Sequence, residues 1–91
     1  MMALERGETI GLWAAAFVVS EDALRDRFMS LTGSSPDQIR DGIADPAFLV
    51  GVLDFILGHE PDLLGFCERH GLEPTEPAEA RRVLAGPETE S

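Results

Sequence analysis

The stretch Asp45-Pro46-Ala47-Phe48-Leu49-Val50-Gly51-Val52-Leu53-Asp54-Phe55-Ile56-Leu57-Gly58 decides the fold. It opens as a helix does: an Asp side chain can accept from the free N–H groups of a first turn, and Pro, lacking an N–H, suits the first helical position. Gly58 is a stop signal. Wound at about 100° per residue, the apolar side chains in between cover most of the circumference. Only Ala47, Gly51, Asp54 and Gly58 share a narrow remaining strip. A helix apolar nearly all round has to be surrounded. Residues 46–58 are therefore expected at the centre of the domain, with the rest of the chain packed around them.

The same punctuation recurs on both sides. Downstream, Glu60-Pro61 opens a fifth helix with Leu63, Phe66, Cys67 and His70 on one side and Gly71 as its stop. A last helix is expected from near Pro77, burying Ala80, Val83 and Leu84 and ending at Gly86-Pro87. Upstream, Ser35-Pro36-Asp37-Gln38 has the pattern of a capping box, followed by a short helix that buries Ile39 and Ile43. Before it, Ser20 offers a cap to a helix that carries Glu21 and Asp22 in its first turn, buries Leu24, Phe28 and Leu31, and stops at Gly33. The first helix runs from about Thr9 to Val19, with Ile10, Trp13, Ala14 and Phe17 in one stripe. The fold class is all-α: one domain over residues 1–91, five or six short helices around the fourth, with frayed ends at 1–7 and 87–91.

Composition narrows the function classes. The chain has 91 residues, 44% of them hydrophobic, at a mean hydropathy of -0.01, the balance of a globular domain. Seventeen acidic residues against seven basic ones give a net charge of -10, which repels phosphate backbones and anionic lipid. No nucleic acid and no membrane is expected as a partner. Every basic side chain other than the two His is Arg, and Lys, Asn and Tyr are absent. We read that bias as GC-rich bacterial coding. Cys67 is the single cysteine, so no intrachain disulfide can form and a reducing cytoplasm is expected. The longest apolar run, Ile10 to Val19, is about half of what a bilayer requires, and it follows Glu5 and Glu8 where a secretion signal carries positive charge.

Few residues suggest chemistry. Cys67 and His70 are three apart on one helix and could contribute two ligands to a zinc ion, or a thiolate with its base and Asp62 or Glu68 as orienter. A structural zinc takes four ligands, and the simpler expectation is a small core thiol beside an imidazole whose charge the helix C-terminus favours. Gly33, Pro36 and Ile39 have the outline of a helix-turn-helix. Its second helix, however, would show Asp37 and Asp41 beside a lone Arg40. Asp54 interrupts the central helix; it is expected in solvent, or, if partly buried, paired with Arg40. No catalytic residue, metal ligand or cofactor site is expected.

Phe28, Gly33 and Pro36 recur 38 positions later as Phe66, Gly71 and Pro74, and after a three-residue slip Pro36, Ile39, Arg40 and Ile43 match Pro77, Ala80, Arg81 and Leu84. Helix caps reuse the same few residues, so this faint repeat does not by itself establish a duplication. From Phe28 to Leu84 the chain also resembles a family of short, uncharacterised alphaproteobacterial proteins, a domain of unknown function of the DUF 3572 type. The resemblance rests on Leu31-Thr32-Gly33, Pro36, Ile39-Arg40, Asp45-Pro46-Ala47-Phe48-Leu49, Val52-Leu53-Asp54-Phe55, Phe66, Gly71 and Pro74. It implies a compact helical domain and carries no activity, cofactor or site residue.

The first helix holds the strongest hint of an interface. Ile10, Trp13 and Phe17 fill one face and Leu12, Ala16 and Val19 the opposite one, leaving no polar side. The surplus apolar surface at Leu12, Trp13, Ala16 and Val19 is expected to meet a protein partner, a second copy of the chain in a homodimer, or adjacent chain. The expected function is a non-enzymatic cytoplasmic interaction or structural protein. The alternatives are a helix-turn-helix-like nucleic-acid-associated regulator and a Cys/His-based metal or thiol protein.

Overall fold

A computed structural model describes residues 2–86, which form six α-helices and no strand. In order they are α1 (Leu4–Ser20), α2 (Asp22–Thr32), α3 (Pro36–Gly42), α4 (Pro46–Leu57), α5 (Glu60–His70) and α6 (Thr75–Ala85). The central helix starts as its sequence dictates: the Asp45 carboxylate accepts from the Ala47 N–H at 3.0 Å, and Pro46 takes the first turn. Leu49, Val52, Leu53 and Ile56 are buried, while the strip of Ala47, Gly51, Asp54 and Gly58 faces solvent.

The α4 helix shares the centre with α1. Ile10, Ala14, Ala15, Phe17 and Val18 of α1 join the α4 residues and Ala80 and Leu84 of α6 in one core. The three helices meet at Gly11, where a Cβ would stand 3.1 Å from Leu84 Cδ1 and 3.2 Å from Leu49 Cβ. A larger residue there would force the helices apart, so the missing side chain sets their spacing. On the other side of α4, the Phe28 ring of α2 meets Phe48 and Phe55 edge-on at 5.9 and 5.2 Å.

Several boundaries and partners differ from the sequence expectation, for local reasons. The first helix begins at Leu4 and so includes most of the stretch expected to fray; Thr9 donates to the Glu5 carbonyl from inside it, and Gly7 lies against Val83 of α6. Packing, not propensity, extends that end. Ser20 does not cap α2. Its hydroxyl donates to the Phe17 carbonyl at 2.9 Å, and Glu21 takes the cap position with no side-chain bond. The last helix starts at Thr75, two residues before Pro77, whose missing N–H costs nothing in a first turn. Leu31, expected inside, is 71% exposed because the last turn of α2 extends past the core. The expected fray at 87–91 lies outside the described residues.

The repeat has a structural counterpart. Gly33 and Gly71 both adopt left-handed backbone, with φ of 73° and 64°, and each returns its N–H to the carbonyl four residues back, at Met29 and Cys67. Next, the Ser35 and Glu73 N–H groups each donate at 2.8 Å to the side chain three residues on, Gln38 and Glu76. Ser35 also accepts from the Gln38 N–H, completing the capping box.

Candidate functional site

Successive residues of a helix point about 100° apart, so burying one face of α1 under α4 and α6 turns another face outward. Leu12, Ala16 and Val19 occupy that outward face, spaced four and three apart, with Leu12 44% and Val19 38% exposed. The α3 segment lies opposite. Its Pro36, Ile39, Arg40 and Ile43, together with Arg25 of α2 and Leu12, Ala15, Ala16 and Val19 of α1, line an apolar groove of about 410 Å³.

Three features hold α3 there. The capping box fixes its start, buried Ile39 anchors its middle, and Gly42 lies so close to Phe48 that a Cβ would fall 2.7 Å from the ring. With only seven residues, α3 is too short to cover the outward face of α1. Ile43, expected in the core, is the residue after this helix and stands 38% exposed on the groove wall.

Three of the four residues expected at an interface, Leu12, Ala16 and Val19, thus come together, and Trp13 does not. One residue round from Leu12, its indole stacks on the His70 ring of α5 at 4.8 Å, and the Arg6 guanidinium lies 5.4 Å over it. The α3 half of the groove was not foreseen. Ile39 and Ile43 read only as core, and the signal that could have found the wall was the brevity of a helix pinned between Ser35 and Asp45.

Cys67 and His70 have separate surroundings. The thiol is 4% exposed and points at the Glu73 carbonyl, 3.7 Å away. Burial first, then Glu76 and Glu73, push its pKa up, the opposite of an activated nucleophile. His70 is stacked on Trp13 and tilted against Phe66 at 5.1 Å. Its pKa is lowered by burial and then by Arg69, so the expected favouring of its charge is outweighed. Among the described residues no group of three or more His, Cys, Asp or Glu side chains is placed to hold a metal ion.

Two ion pairs were not anticipated in their final form. Asp54, 51% exposed, accepts from Arg81 Nε at 2.7 Å and Nη2 at 3.4 Å; the partner imagined for it, Arg40, pairs instead with Asp37 on its own helix. Asp62, 13% exposed, accepts from Arg27 and has His59 Nδ1 at 3.0 Å. The Arg27 guanidinium also lies 4.9 Å over the Phe55 ring, so this pair ties α2 to α4 and α5. Among the described residues no helix is long and apolar enough to cross a membrane.

No curated protein and no solved structure matches the chain. Residues 4–87, spanning all six helices and the groove, match the family described as protein of unknown function (DUF3572), and the chain belongs to that family.

Proposed function

We propose that this domain is a non-enzymatic interaction module that holds part of another protein in the groove between α1 and α3. The observation that carries the proposal is the groove itself: about 410 Å³, open-sided, and walled by Leu12, Val19 and Ile43, three of the six large hydrophobic residues exposed among those described. Exposed aliphatic residues scattered singly need no explanation, whereas three around one concavity are what a docking surface requires. The lone buried thiol, with no disulfide partner in the sequence, supports work in the cytoplasm. The acidic envelope opposes nucleic acid and favours solubility.

A photo-reactive residue placed at Ala16, inside the groove, and in a second variant at Gly51, on the exposed strip of α4, tests the proposal in the source cell. A discrete adduct from position 16 that position 51 does not give is the expected result. No adduct, or the same adducts from both positions, overturns it.

A further inference from the structure

Resting on the groove as a docking surface, we infer that its occupant is an amphipathic helix of a partner protein, with aliphatic side chains three and four residues apart and an acidic side chain beside them. Shape supplies the first half. The α1 wall is spaced four and three (Leu12, Ala16, Val19) and the α3 wall three and four (Pro36, Ile39, Ile43), so the groove runs between two helical ridges. Leu12 to Val19 spans about 10 Å, or two turns, at about 1.5 Å per residue. Ala15 and Ala16 leave the α1 side shallow between larger side chains, which admits a Leu- or Ile-sized knob from above. An incoming helix with aliphatic anchors over two or three turns meets these conditions, and it satisfies its own backbone hydrogen bonds while lying on apolar surface.

Charge supplies the second half. In a chain with 17 acidic and 7 basic residues, the only charged side chains lining the groove among the described residues are two arginines, Arg25 and Arg40. They flank it from α2 and α3. Each now faces carboxylates of its own helix: Arg25 has Asp22 at 3.1 Å and Asp26 at 3.9 Å, and Arg40 has Asp37 at 3.3 Å. Those carboxylates are 69–88% exposed, so the pairs hold the guanidinium groups only weakly and leave donors for an incoming Asp or Glu. A second copy of the chain suits the groove less well. A stable dimer buries about 800 Å² on each side, far more than a two-turn groove offers, and it would bring together two chains that each carry a net charge of -10.

The test is a displayed library of random peptides about 16 residues long, about four helical turns, selected on the intact domain and then measured as synthetic peptides. Enriched sequences are expected to place aliphatic residues at i, i+3 or i+4, and i+7 with an Asp or Glu adjacent. Their affinity should fall at least ~10-fold in Ala16→Arg or Leu12→Glu protein and ~3-fold or more in the Arg25→Gln, Arg40→Gln double variant, as expected for lost packing and lost charge-assisted bonds. Circular dichroism checks that each variant is folded, and both groove positions are exposed. Binders that depend on Ala16 but show no acidic preference and ignore the arginine changes overturn this inference and leave the docking surface standing. An enrichment of Lys and Arg overturns it likewise. If no binder depends on Ala16, both fall. Self-association of the unliganded chain that Ala16→Arg abolishes would make a second copy the occupant and overturn the partner helix.

Discussion

The two helix–glycine–helix units of this protein, α2–Gly33–α3 and α5–Gly71–α6, start alike and end differently. Each begins with an eleven-residue helix, buries a Phe (Phe28 or Phe66), closes on a left-handed glycine and restarts with a backbone N–H held by the side chain three residues on. After that the units part. The α6 helix has eleven residues, buries Pro77, Ala80 and Leu84, and closes one side of α1 together with α4. The α3 helix has seven and buries only Ile39. Local capping chemistry therefore sets where helices turn, and the length of the second helix sets whether α1 is covered or left with a groove.

A charge placed on each side of α1 should separate the two units most strongly. Ala80 is 0% exposed against the core, so Ala80→Glu should cost more than about 4 kcal/mol and unfold much of the population, since a buried unpaired carboxylate has nothing to offset it. Ala16→Glu, on the groove side, should stay within about 0.5 kcal/mol of the parent. Urea melts of both variants read the difference, and equal losses would mean that the groove side is core. Next in size, Leu84→Ala should cost about 2–4 kcal/mol and its counterpart Ile43→Ala less than about 1.5, because Leu84 is 8% and Ile43 38% exposed.

The shared part of the two units predicts equality. Gly33→Ala and Gly71→Ala each force a Cβ into left-handed backbone and should each cost about 1–2 kcal/mol by the same melts. A large inequality would show that one of the two turns is held by more than its local conformation.

The smallest effect separates the last residues of α2 and α5. Thr32 answers its own helix, donating to the Phe28 carbonyl at 2.8 Å, while His70, 38 positions later, stacks on Trp13. Because the folded pKa of His70 lies below the ordinary 6.5, the unfolded chain binds the proton more readily. This contribution to stability is complete above about pH 6.5 and is lost as pH falls through and below that value. Acid sensitivity between about pH 7 and pH 5 should therefore shrink in His70→Gln protein, and Trp13 fluorescence should report the loss of the stack.

Much of the architecture was legible in the sequence because caps and stops act locally. Asp45-Pro46, the Ser35 to Gln38 box, Gly33 and Gly71 act where their spacing puts them, and the buried residues of α4 follow from its apolar circumference. Tertiary choices were less legible. Nothing in the spacing distinguishes Arg40 from Arg81 as the partner of Asp54, since that depends on which helix lies beside α4. The groove was half visible for the same reason. Leu12, Ala16 and Val19 stood out as surplus on α1, but Trp13 went to α5, and the second wall came from a helix whose isoleucines read as core.

The α1 helix is covered on one side by α4 and α6 and open on the other, and the groove exists because of that asymmetry. Thiol labelling of the Ala16→Cys protein under native conditions, followed by mass spectrometry, tests it with Cys67 as internal reference. The account predicts that the thiol introduced at position 16 reacts as fast as one in an unfolded peptide, while Cys67, 4% exposed, reacts only when the domain opens. Equal protection of both thiols in the monomer would show that the outward face of α1 is covered, and would contradict it.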